Sequence, residues 1–272
     1  MDLDRVKKLR YELHNIPEIS ENEIKTQELL KKYIKNNSKL KIVEKDGYFY
    51  AVHYEGENLK NIAFRADMDA LPCENGAYHG CGHDGHSAVL AEFAVDTDGK
   101  SFGKNLFFLF QPAEEIGKGA EKCCEMLKKE SIAEIYGWHN IPGHKEGNIL
   151  IHKGSFACAS KGLRLIFEGK QCHAAYPETG INPSFVIADI VNKLKDFINA
   201  EYKAPVLATI VEIKVGNRNF GISAGTGEIS MTIRAQYTED LQKLQTLLLN
   251  YSKSLSDNSR ISMTYEVYDE FP

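Results

Sequence analysis

Neither a surplus of basic residues nor a long apolar run is present in this sequence. Lys and Arg number 33 against 38 Asp and Glu, a formal net charge of −5 at pH 7. With no basic stripe to track a phosphate backbone, nucleic acid is not an expected partner. The longest apolar stretches, such as Asn105-Leu-Phe-Phe-Leu-Phe110, fall far short of the roughly 20 residues a bilayer demands, so no membrane span is expected. The first residues, Met1-Asp-Leu-Asp-Arg-Val-Lys-Lys8, lack the apolar segment of a secretory signal. A cytoplasmic protein with its six cysteines reduced is the expectation. There is no internal repeat, no low-complexity tract and no second Cys-x-x-Cys or His-x-x-x-His pair of zinc-finger type.

What the chain does have is concentrated. His79-Gly-Cys-Gly-His-Asp-Gly-His86 holds three of its nine histidines and one of its six cysteines. Imidazole and thiolate are ligands that borderline divalent metals prefer, and glycines let the backbone turn several side chains toward one centre. The remaining ligands must come from elsewhere in the chain, as in catalytic metal sites. Adjacent Cys123 and Cys124 sit in a helical stretch and read as packing residues.

At 272 residues and 43% apolar, the chain can bury a full core, and two domains are expected, 1–157 and 158–272. Periodicity predicts helices at 3–15 and 21–36, strands at 41–44, 48–54 and 61–66, and a helix from Asp84 to about Ala94. A strand at 105–110, a helix at 119–129 and a strand at 132–137 follow. This alternation predicts an α/β domain with a mostly parallel sheet covered on both faces. From about Lys161 the order becomes strand 163–168, helix 182–199, strands 207–215 and 228–236, helix 238–254 and strand 261–267. That is βαββαβ, the α+β ferredoxin-like arrangement, whose strands close one antiparallel sheet. Small residues predict a hinge at Lys153–Lys161.

Ligands in open α/β sheets bind beyond the carboxyl ends of strands. Arg65-Ala-Asp-Met-Asp69, Gln111-Pro-Ala-Glu-Glu115 and His139 all follow predicted strands, and with Cys81 and His83 they suggest a convergent N/O/S site. Side chains of neighbouring Glu114 and Glu115 diverge in a turn, so one can bind metal while the other faces water. A cation lowers the pKa of that water, and the free carboxylate accepts its proton and can return it to a departing amine. Asp67 and Asp69 suit acceptors for ligand imidazoles, further metal contacts, or caps of the following turn.

Six ordered motifs resemble one family. They are Leu13-His14-Asn-Ile-Pro-Glu18, Arg65-Ala-Asp-Met-Asp-Ala-Leu-Pro72, the His79–His86 loop, Gln111-Pro-Ala-Glu-Glu115, Gly137-Trp-His-Asn-Ile-Pro142 and Cys172-His-Ala-Ala-Tyr-Pro-Glu-Thr-Gly-Ile-Asn-Pro183. The series is similar to the metal-dependent aminoacylase, hippurate hydrolase and indoleacetyl-amino-acid amidohydrolase family. The resemblance implies a metallopeptidase-like catalytic domain with two divalent metal ions (zinc, manganese, cobalt or nickel), and a ferredoxin-like lid that mediates homodimerisation. It implies a small N-acyl-amino-acid-like substrate. It makes Cys81, His83, Glu115 and His139 metal ligands, Glu114 the general base and acid, and His173 the lid histidine that polarises the scissile carbonyl. Asn219 and Arg234 fall where relatives contact substrate. Asn219-Phe-Gly-Ile-Ser departs from the family pattern, and a strand-face charge is the plainer reading of Arg234.

Relatives continue past the point where this sequence reaches Glu270-Phe-Pro272, and their returning segment supplies a final histidine. No histidine follows His173 here. The expectation is therefore a sheet with missing strands and a free edge, in which His79, His86, Asp67 or Asp69, or a second polypeptide, completes the metal site. The alternative is a truncated, catalytically impaired member that serves as a dimerising or ligand- or metal-binding module.

Overall fold

In the computed structural model, which describes residues 1–154 and 157–271, Asp2 caps α1 (Leu3–His14) by accepting hydrogen bonds from the N–H groups of Asp4 and Arg5. Val6, Leu9 and Leu13 recur at helical spacing and are buried on one face. α2 (Ile24–Asn37) buries Thr26, Leu30 and Ile34 in the same way. It starts three residues later than its periodicity predicts. Glu21 has a φ of 69°, a left-handed conformation that a helix does not accept.

β1 (Lys41–Glu44), β2 (Phe49–His53), β3 (Asn61–Asp67), β6 (Asn105–Gln111) and β7 (Glu134–Gly137) form one sheet in the order β1-β2-β6-β3-β7. The expected largely parallel sheet is mixed. β3 runs parallel to β6 and β7, whereas β1–β2 and β2–β6 are antiparallel. The turn between β1 and β2 is too short for the crossover that a parallel pair requires. β4 (Leu71–Cys73) and β5 (Gly76–Tyr78) make a small separate ribbon that sequence periodicity did not reveal, three residues being too few to show a period.

α3 (His83–Thr97) packs with α1 and α2 on one face of the sheet, where Phe49 and Phe110 stack at 4.5 Å. α4 (Gly119–Lys129) covers the other face through Cys123 and Met126. With both faces covered, all seven residues of β6 are buried, which accounts for its continuous apolar run. Asp67 pairs in register with Gln111, and Arg65 with Gly137. The carboxyl ends of the three parallel strands therefore open at one rim.

The chain divides into two compact units, Met1–Asn148 and Ile149–Pro272. Ser155 of the predicted hinge lies outside the described residues, as do Phe156 and Pro272. Ala159–Lys161, also assigned to that hinge, are already strand, because Ala159 pairs with Ala235 and is buried. The second unit contains β8 (Ala159–Glu168), α5 (Ser184–Ile198), β9 (Val206–Val215), β10 (Thr226–Ala235), α6 (Thr238–Asn258) and β11 (Ser262–Phe271). Its sheet, β11-β8-β10-β9, is antiparallel throughout, as the βαββαβ order predicts. Leu163, Leu165, Phe167, Ile229, Met231 and Ile233 alternate inward against α5 and α6. Each contributes about 1.5–3 kcal/mol by burial. On the opposite face Arg164 pairs with Glu228 and, at 3.1 Å, with Glu266. No helix among the described residues is long and apolar enough to cross a membrane.

Candidate metal centre

The turn that begins α3 sets the first two candidate ligands. Gly82 has a φ of 83°, and a Cβ there would lie 2.8 Å from Asn140 Oδ1, so only glycine fits between Cys81 and His83. His83 and His86 then lie three residues apart on one helix face. Asp84, between them, is buried and ties α3 to α1 by accepting from Arg10 Nε at 2.8 Å and His14 Nδ1 at 2.7 Å. The His14 motif thus anchors the helix that carries the site.

Two groups of potential ligands converge at the rim. Donor atoms of Cys81, His83 and Glu115 lie within 4.8 Å of one another, and so do those of His83, His86 and His139. His83 belongs to both groups. Its Nδ1 donates to the Asp69 carbonyl at 2.9 Å and lies 3.2 Å from Asp69 Oδ1, which leaves the Nε2 lone pair aimed into the cluster. That Nε2 and Glu115 Oε1 are both buried with no hydrogen-bond partner. Asp69 also accepts from the Glu115 N–H at 2.9 Å and from Ser20 Oγ at 2.7 Å. One carboxylate therefore orients two of the candidate ligands. Glu114 Oε2 is 3.8 Å from His83 Nε2, and its side chain is 39% exposed against 15% for Glu115, so Glu114 is the one of the pair that reaches solvent.

The electrostatics of this cluster suit a cation. Burial pushes the Cys81 thiol up, and Glu115, Glu114 and Asp69 add to it, so that its pKa reaches about 12. Burial works against a charged His83, yet the Asp69 hydrogen bond and the Asp67 and Asp69 charges outweigh it and raise the ring to about 9. Burial lifts Asp67 to about 6 against the pull of Arg65 and His83. For Asp69, burial raises the carboxyl, but the bonds from His83, the Glu115 N–H and Ser20 hold it below its ordinary value. His86 is lowered to about 4 by burial and by neighbouring His139, and is therefore neutral near pH 7. The cluster holds protons where a metal would compete for the same lone pairs. A thiol that a metal would deprotonate, imidazoles and a carboxylate, with His83 Nε2, His86 Nδ1 and Glu115 Oε1 buried and unpartnered, fit a borderline divalent ion.

Cys81, His83, Glu115 and His139 thus come together through His83, and His86 joins them. Asp67, Asp69 and His79 do not enter either donor group. Asp67 pairs with Arg65, Asp69 is occupied as an acceptor, and His79 is buried beside His14 at 6.2 Å between rings. Ser20 and Asn140, whose side-chain oxygen lies 2.6 Å from His86 Nε2, were not singled out from the sequence. Both lie inside or beside motifs that were, Pro17-Glu18 and Trp138-His139, and that adjacency was the available signal.

His173, Asn219 and Arg234 belong to the second unit. His173 Nδ1 accepts from the Ala175 N–H at 3.1 Å, so its proton resides on Nε2. Asn219 Oδ1 accepts from the Gly221 N–H at 3.0 Å and closes its own turn. Arg234 is exposed on β10, in register with Ser160 and Leu207.

The sequence pattern of Peptidase family M20/M25/M40 matches residues 63–267. N-acetyl-L-cysteine deacetylase of Bacillus subtilis (strain 168) is 31% identical over 243 residues, which cover 83% of this chain and 58% of that protein. N-acetyldiaminopimelate deacetylase of Priestia megaterium (strain ATCC 12872 / QMB1551) is 32% identical over 261 residues, 88% of this chain and 68% of the relative. The chain thus spans between about half and two thirds of the length of these relatives. A crystal structure from Bacillus subtilis, described as a dinuclear metal-binding peptidase from the M20 family, superposes with a TM-score of 0.80 at 23% identity. It covers 99% of this chain and 74% of its own. At that identity the likeness concerns the fold.

Proposed function

The chain belongs to Peptidase family M20/M25/M40, and on that premise we propose that it hydrolyses the amide bond of an N-acyl-amino acid or a similar small amide, using two divalent metal ions. The observation that carries this reading is the convergence of Cys81, His83 and Glu115 with the His83 Nε2 and Glu115 Oε1 atoms buried and unpartnered. Cys81, His83, Glu115 and His139 would hold the ions, with His86 within reach of His83 and His139. Zinc, manganese, cobalt and nickel all accept such a donor set. The ions would supply Lewis acidity, polarising the carbonyl and acidifying the attacking water.

Glu114 is the general base. Its oxygen is as near to His83 Nε2, at 3.8 Å, as that of Glu115, at 3.9 Å, and its greater exposure supports a carboxylate that faces water beside the ligands. It takes the proton of the attacking water and delivers it to the amide nitrogen as the C–N bond breaks, releasing a carboxylic acid and an amine. Asp69 keeps His83 in the tautomer that offers Nε2. His173, whose Nε2 carries the proton, has the donor needed to stabilise an oxyanion. A homodimer through the second unit belongs to the same reading. β9 lies at the edge of its sheet and leaves Leu207 and Val211 60% and 68% exposed, an edge suited to pairing with a second copy.

The test is hydrolysis of N-acetyl and N-benzoyl amino acids by wild type and Glu114→Gln, with metal content measured on both. Glu114→Gln is expected to keep its metal and lose turnover by roughly 10²–10⁴-fold. Near-native turnover in that variant with metal bound would refute the mechanism.

A further inference from the structure

Resting on this metal-hydrolase reading, we infer that Glu23 is a positioning residue for the Glu114–Glu115 pair, acting through the backbone of Ala113. Glu23 precedes α2 and is only 2% exposed, a rare environment for a carboxylate. Two main-chain groups occupy it. Glu23 Oε1 accepts from the Ala113 N–H at 2.8 Å and from the Glu21 N–H at 3.2 Å. Ala113 has a φ of 49°, a left-handed conformation that residues with a Cβ adopt reluctantly. Its carbonyl is held from the other side by the N–H groups of Lys118 at 3.2 Å and Gly119 at 3.1 Å, where α4 begins. Both peptide groups of a strained residue are thus gripped immediately before Glu114 and Glu115.

The same short segment reaches the pair by a second route. Ser20 donates to Asp69 Oδ2, and that oxygen accepts the Glu115 N–H. Ser20 and Glu23 therefore bracket the carboxylate turn, one through Asp69 and one through Ala113. Glu23 makes no hydrogen bond to the side chain of Glu114 or Glu115 among the described residues. What it sets is the direction in which Glu114 and Glu115 leave the backbone. The feature that matters is the reach of an acceptor oxygen to Ala113 N rather than the charge of the carboxylate.

Two substitutions separate reach from charge. Glu23→Gln keeps an oxygen at that distance and loses the charge, whereas Glu23→Asp keeps the charge and falls short. Cobalt(II) is titrated into the full chain of wild type and both variants, followed by visible absorption, with thermal unfolding recorded for each metal-free protein. Glu23→Asp is expected to bind cobalt about 10-fold or more weakly, with an altered visible spectrum, and Glu23→Gln to stay within about 3-fold of wild type. Wild-type affinity and spectrum in Glu23→Asp, with only its unfolding temperature lowered, would overturn the inference and leave a purely structural role. Equal losses in both variants would also overturn it, by making charge the operative property. A wild type that takes up no cobalt would defeat the metal reading itself and the inference with it.

Discussion

At Asp69 three donors meet on one carboxyl group: the His83 ring, the Glu115 amide and the Ser20 hydroxyl. An Asp69→Asn substitution replaces an acceptor oxygen by a donor and sets it against an N–H or a ring N–H. Metal affinity is expected to fall by about 10–100-fold, measured by competition with a chelator, although Asp69 lies in neither donor group. Protons compete for the same site. Because His83 is raised to about 9 and Cys81 to about 12, binding must displace protons, so apparent affinity should climb as pH rises toward 9. A flat profile between neutral pH and 9 would mean that these two groups are not ligands. Cys81, His83, His139 and the Glu114–Glu115 pair were legible in the sequence as convergent candidates because they cluster or follow apolar strands, whereas the choice of Glu115 over Glu114 as a ligand came only with the family resemblance. His86 was legible only as one of several substitutes. Separating it from His79 required knowing which way α3 turns after Gly82, a property of one left-handed residue.

Elements were easier to read than their orientation. Periodicity located α1, β1, α4 and the βαββαβ order of the second unit within a residue or a few, because each has one face to bury. It could not tell that β2 runs antiparallel to β6, since a strand buried on both faces carries no directional signal. How elements are tied together was equally hidden. Glu55, just past β2, accepts from Ser101 Oγ and from the N–H groups of Phe102 and Gly103 ahead of β6. Those bonds, with His53 beside them, hold its carboxyl at about 2, below an ordinary value of 4.5. A depressed folded-state value contributes stability that is present above the ordinary pKa and lost as pH falls toward 2. Glu55→Gln is therefore expected to shallow the acid limb of the urea midpoint plotted against pH between about 4.5 and 2, and to leave it unchanged in shape above that window. The start of α4 gives a sharper case. A Cβ on Gly119 would sit 1.5 Å from the Pro112 carbonyl oxygen, so Gly119→Ala must displace the turn that carries Glu114 and Glu115. Loss of metal binding together with a lowered unfolding temperature is the expected outcome.

The molecule as a whole consists of two units, the first with a buried cluster on each face of its sheet and the second with one of its own. Truncating a side chain in one should not thin the core of the other. Leu165→Ala, in the core of the second unit, is expected to cost that unit about 2–5 kcal/mol in chemical denaturation. Added metal should stabilise the first unit by mass action and leave the transition of the second in place. A single transition moved equally by both changes would show that the units unfold as one. The family was readable from six motifs in order, whereas the acyl and amino-acid parts of the substrate were not, since ligand chemistry around Cys81 and His83 specifies the reaction and not the groups on either side of the amide.

Elemental analysis of purified wild type beside Cys81→Ala tests the metal centre most directly. Wild type is expected to carry about two divalent ions per chain, and Cys81→Ala to lose at least half of them, because the thiol shares its donor group with His83 and Glu115. Wild type without metal, or a Cys81→Ala variant with undiminished metal, would contradict the assignment of this rim as a two-metal hydrolytic site.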